Sequence, residues 1–93
     1  MMKQDAAEVI ALKCLTWLVG QDSLLPVFLS STGADSEELQ RRAHDPDFLT
    51  SVLEFITLDD TWVVECCDDR DLRYEMPMMA MAVLQGAGRT HWT

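Results

Sequence analysis

The chain has 93 residues, 48% of them hydrophobic, and a net charge of -9 from 16 acids against 7 bases. That length fits one small domain, which buries only a limited share of its surface. The charge excludes the basic footprint with which a nucleic-acid binder neutralises phosphates, and an anionic membrane surface repels the chain in the same way.

The acidity serves solubility, or suits a basic protein partner. There are three cysteines, two of them adjacent. An odd count with a vicinal pair makes no disulfide framework, and free thiols suit a reducing, cytoplasmic compartment. The opening Met1-Met-Lys-Gln-Asp5 leads into apolar residues that Glu8 and Lys13 interrupt. That is too broken for a signal peptide and too short and charged for a membrane span.

The first helix is expected over 6–19. Asp5 is the expected N-cap and Glu8 the other half of a capping box. Ala6, Val9, Ile10, Cys14, Trp17 and Leu18 recur at helical spacing, while Ala7, Ala11, Leu12 and Leu15 widen the apolar surface. A helix apolar around most of its girth belongs at the centre. Gly20 ends it, as glycine enters the left-handed conformation at low cost.

A second helix covers 24–31, capped by Asp22 or Ser23, with Pro26 in its first turn where a missing amide matters least. Leu24, Leu25, Phe28 and Leu29 form its inner side, and Thr32-Gly33 closes it. The third starts after Asp35, with Glu38 completing a capping box, and offers the core only Leu39 and Ala43. Asp45-Pro46 then stops the third and starts the fourth: aspartate caps, and proline's fixed φ fits the first helical position. In the fourth helix Phe48, Leu49, Val52, Leu53 and Ile56 lie on one face. Phe55 falls off that face, so it packs sideways or meets a neighbouring chain. Asp59 caps a fifth helix over 60–69.

Trp62, Val63, Cys66 and Cys67 share one face of that fifth helix. Adjacent helical side chains diverge by about 100°, so Cys66 and Cys67 do not chelate one ion, and no zinc-like spacing of ligands exists. The thiols are expected in the core, as small apolar groups. Asp68, Asp69 and Asp71 follow without the glycine that a calcium loop needs. They read as a solvated acidic face, and why acids cluster at this helix end has no account from sequence.

The stretch Met76-Pro-Met-Met-Ala-Met-Ala-Val-Leu84 holds no charge and reads as a sixth helix over 74–85. Two readings stay open for it. It is a core helix, or its methionines meet another molecule, since flexible thioethers suit adaptable contacts and large apolar patches mark them. The candidate contact residues are Phe55, Met76, Met78, Met79 and Met81.

The two helices around Gly33 resemble a helix-turn-helix, but the second opens with Asp35, Glu37 and Glu38, which phosphates repel, and only Arg41 and Arg42 offset them. No phosphate loop or nucleophile elbow occurs. His44 precedes a cap, and His91 lies in a tail over 89–93 that reads as mobile, leaving 1–88 as the single domain. No catalytic, metal or cofactor-binding residue is assigned.

The order of segments resembles the bacterial family of domains of unknown function DUF3572. The motifs are Trp17-Leu18, Phe28-Leu29 to Thr32-Gly33, Asp45-Pro46-Asp47-Phe48-Leu49 to Val52-Leu53-Glu54-Phe55, and Asp59-Asp60. Their specificity lies in order and spacing, over about residues 6–75. Where the resemblance leads one to expect Gly-Leu-Pro-Pro, the chain has Asp71-Leu72-Arg73-Tyr74, and methionines replace alanines in the last helix. The resemblance implies an all-helical fold and no activity.

The expected fold is therefore all-α, a compact single domain of five or six short helices packed at mixed angles. The expected role is a non-enzymatic protein-interaction domain, with a homodimer through the last helix as one form. A small-molecule binder or thiol-dependent enzyme is the competing class, and a DNA-binding helix-turn-helix ranks behind both. The partner is a protein or a second copy, not nucleic acid or membrane.

Overall fold

The computed structural model describes residues 2–88. It holds six helices: α1 Gln4–Val19, α2 Leu25–Thr32, α3 Ser36–Arg42, α4 Pro46–Ile56, α5 Asp60–Arg70 and α6 Met76–Gly88, with no strand among the described residues. The all-α expectation holds, with six helices. The segment 89–93 expected as a mobile tail, with His91, lies outside the described residues.

α1 packs most extensively against α6 and α4, and also against α5, which makes it the central element that its girth of apolar residues required. Ala7, Ile10, Ala11, Cys14, Leu15, Trp17 and Leu18 are buried along it. Its ends differ from expectation. Lys3 occupies the N-cap with no side-chain hydrogen bond, and Asp5 sits inside the first turn. Glu8 instead accepts from Gln4 at 2.9 Å. Asp5 still favours the helix, because a negative charge in the first turn complements the dipole. Ala6 and Val9 face solvent. Gly20 ends α1 at φ -81, a right-handed conformation, its N–H bonded to the carbonyls of Trp17 and Leu18.

α2 begins with Leu24 as N-cap and no side-chain cap, so neither Asp22 nor Ser23 takes that role. Phe28 is fully buried, while Leu24, Leu25 and Leu29 are half-buried against the core. Gly33 closes α2 at φ 74. This left-handed position suits glycine, which has no Cβ to clash. The α3 capping box forms as expected: the Glu38 amide donates to Asp35 at 2.9 Å, and the Asp35 amide donates to Glu38 at 3.4 Å. Arg42 lies 4.7 Å from the Phe48 ring centroid, so a cation–π contact ties the end of α3 to α4.

In α4 the Asp45 carboxylate accepts from the Asp47 amide at 3.0 Å. Phe48, Leu49, Val52, Leu53 and Ile56 are all at most 1% exposed. Each such side chain contributes about 1.5–3 kcal/mol by leaving water, so this face anchors the fold. The Thr57 hydroxyl points at Met81 Sδ, 3.8 Å away, and Gln85 donates to Glu54 at 3.2 Å. Rising numbers on α6 thus meet falling numbers on α4, and the two helices run antiparallel.

Candidate interaction surface and buried thiols

Helix α6 has two apolar sides, which is why its sequence carries no amphipathic signal. Pro77, Ala80 and Leu84, at i, i+3 and i+7, turn inward and are almost wholly buried. Met76, Met81 and Val83 flank them, half-buried against the same core. Met78 and Met79 point the other way, 55% and 42% exposed. Ala82 and Gly86 continue that outward side. No charged residue occurs from Met76 to Gly88.

The five residues expected at a contact therefore separate. Met78 and Met79 are free on the surface. Met76 and Met81 are partly committed to the chain's own core. Phe55 takes the sideways option and is only 8% exposed. Its ring meets Phe28 edge-on at 5.4 Å and stacks on Trp62 at 5.1 Å. Little of it remains for a second molecule, because α2 and α5 supply the cover that helical spacing within α4 does not reveal. Ala82 and Gly86 escaped sequence reasoning, since small residues give no signal of exposure.

The α5 thiols sit where the sequence puts them. Cys66 is 0% and Cys67 1% exposed, and Cys14 of α1 is also fully buried. All three are free. Cys14 of α1 and Cys66 of α5 act on each other's protons across the α1–α5 contact. The neighbouring Cys66, with burial, holds the proton on Cys14 well above the ordinary thiol range. The neighbouring Cys14 lowers Cys66 from its ordinary value, against the opposing effect of its own burial. Burial pushes Cys67 up to about 11, and its thiol lies 3.5 Å from the Arg73 carbonyl. At neutral pH such a thiol is protonated, and a protonated thiol is a weak nucleophile and metal ligand. Among the described residues, no three His, Cys, Asp or Glu side chains form a group that could hold a metal.

The acidic end of α5 acquires a local explanation. Asp71 is the C-cap, left-handed at φ 59, and its N–H returns to the Cys67 carbonyl. Aspartate tolerates that conformation better than most residues. Asp68 accepts from the Tyr74 hydroxyl at 2.7 Å, a bond that holds the Tyr74 proton above its ordinary range. Asp69 pairs with Arg70 at 2.9 Å. Asp71 and Asp68 are thus used in turning the chain from α5 into α6, while Asp69 only pairs with its neighbour on the surface of α5. The turn borders an open recess of about 400 Å³ that Cys67, Asp68, Tyr74 and Glu75 help to line. A second, apolar groove of about 270 Å³ lies between α1 and α3, formed by Leu12, Leu15, Val19, Leu39 and Ala43 with Thr16 and Gln40.

No helix among the described residues is long and apolar enough to cross a membrane. A family model described as Protein of unknown function (DUF3572) matches residues 4–87. No curated protein and no solved structure shows a significant match.

Proposed function

The chain belongs to the DUF3572 family, and we propose that it works as a protein-interaction domain whose contact face is the outward side of α6. One observation carries this reading: two large apolar side chains, Met78 and Met79, stand exposed together on a helix without charge, in a chain of net charge -9. Among the described residues, the remaining large exposed apolar ones are Val9, Val19, Val27, Leu58, Val64 and Tyr74, distributed over α1, α2, α5 and the turns. Unbranched thioethers adapt to a partner's surface at little steric cost. The burial of all three thiols supports packing in preference to a thiol enzyme.

Capture of the tagged chain from the lysate of its source cells, beside Met79→Glu, tests this. A stoichiometric protein, a second copy included, that is recovered with the native chain and lost with the variant is expected. Equal recovery by both contradicts it. The apolar groove between α1 and α3 favours a second reading, a small apolar ligand. A metabolite screen by thermal shift tests it: a stabilising ligand whose effect vanishes in Leu12→Glu supports the groove, and no shift with any compound removes it.

A further inference from the structure

The outward face of α6 matches its own chemistry. Each of the other long helices brings acids to its surface: Asp5 and Glu8 on α1, Asp47 and Glu54 on α4, and Asp60, Glu65, Asp68 and Asp69 on α5. Two copies meeting through any of those helices bring like charges together. A basic partner is drawn to those same acids and away from α6. Among the helices longer than eight residues, α6 alone offers an uncharged face that an identical, equally acidic chain approaches without repulsion.

Its relief points the same way. At 100° per residue, Met78, Ala82 and Gly86 fall on one strip of the helix, with Met79 beside it. The methionines project at the start of the strip, and Ala82 and Gly86 leave a notch at its end. A Cβ added at Gly86 would meet nothing within 4 Å. No internal neighbour therefore requires glycine there, although glycine within a helix is less stable than alanine.

We propose that a second copy of this chain covers this face, its α6 antiparallel to the first about a two-fold axis at Ala82, with Met78 of each copy seated over Gly86 of the other. This rests on α6 being the docking face. A two-fold contact is isologous, so one helix must carry both the knob and the notch. Met78 and Gly86 satisfy that condition, as each lies four residues, about 6 Å along the axis, from Ala82. In the same register Met79 of one copy lies against Gln85 of the other.

The test uses the purified full chain in sedimentation equilibrium, together with single cysteines placed on α6. The native thiols are at most 1% exposed, so an introduced surface thiol reacts first. Ala82→Cys is expected to give a covalent dimer with a low-molecular-weight disulfide as oxidant. Met78→Cys is not, because its two copies stand about 12 Å apart along the axis, beyond disulfide reach. Gly86→Leu, which has internal room for its side chain, is expected to raise the dimer dissociation constant by roughly tenfold or more, with an unchanged far-ultraviolet spectrum. A native chain that stays monomeric at every concentration overturns the proposal. If lysate capture then still yields a different protein that Met79→Glu loses, the docking face survives and only the second copy fails. A dimer that links through Met78→Cys and not through Ala82→Cys overturns the register.

Discussion

Phe55 and Trp62 stack with ring centroids 5.1 Å apart and planes 19° from parallel. Phe55 also meets Phe28 edge-on, so one side chain joins α4 to both α2 and α5. α5 needs this bond, because its only fully buried residues are Cys66 and Cys67.

Phe55→Ala is therefore expected to destabilise the chain by about 3–5 kcal/mol, a large part of the stability of a small domain. Chemical denaturation followed by tryptophan fluorescence measures it. A loss below about 1 kcal/mol would fit a surface residue and contradict the packing described.

The helix starts make a paired prediction. Asp45→Ala removes the side-chain bond to the Asp47 amide and is expected to cost about 1 kcal/mol. Asp5→Ala removes no cap and should cost less than about 0.5 kcal/mol, through the dipole alone. Urea midpoints of the two variants compare them directly. Equal losses would mean that Asp5 caps α1 in solution.

Asp71 holds a left-handed conformation at φ 59, at the position where the family resemblance leads one to expect glycine. Asp71→Gly should stabilise the chain by roughly 0.5–1 kcal/mol, since glycine carries less strain there. Thermal melts read the change. Destabilisation would show that the Asp71 side chain makes a contribution larger than the strain it bears.

The thiols predict a pH dependence. Cys67 goes from an ordinary 9.0 to about 11 on folding, so the folded chain holds that proton more tightly than the unfolded one. Its contribution is complete below about pH 9 and is lost as pH rises through 9 to 11. Cys14 shifts in the same direction and Cys66 in the opposite one. Cys67→Ala should flatten the fall in stability across that window. Near neutral pH a shift of two units leaves roughly a hundredfold less thiolate. Iodoacetamide should accordingly label native Cys67 at least that much more slowly than the denatured chain. Labelling at the denatured rate would place the thiol in solvent.

Local chemistry was legible in the sequence, and tertiary choice was not. The Asp35–Glu38 box and the Asp45-Pro46 start use groups within three residues, so their motifs sufficed. The α4 core face was legible because its apolar residues keep one period. Asp5 misled because a carboxylate in the first turn and one at the cap look alike in sequence. Gly20 misled because a glycine ends a helix in either hand. Phe55 could not be placed, because its cover comes from Phe28 and Trp62 on other helices. In α6 the inner and outer sides are both apolar, so nothing in its composition says that Ala80 faces in and Met79 out.

That adjacent pair gives the most direct test of α6 as a contact face. Ala80 is 0% and Met79 42% exposed. Sedimentation equilibrium and circular dichroism would be run on the native chain, Met79→Glu and Ala80→Glu. The proposed pairing through α6 predicts a native dimer and a folded Met79→Glu monomer, and the burial of Ala80 predicts an unfolded Ala80→Glu, because an unpaired carboxylate is not tolerated in the core. A Met79→Glu chain that unfolds, or that stays dimeric like the native chain while folded, would contradict it.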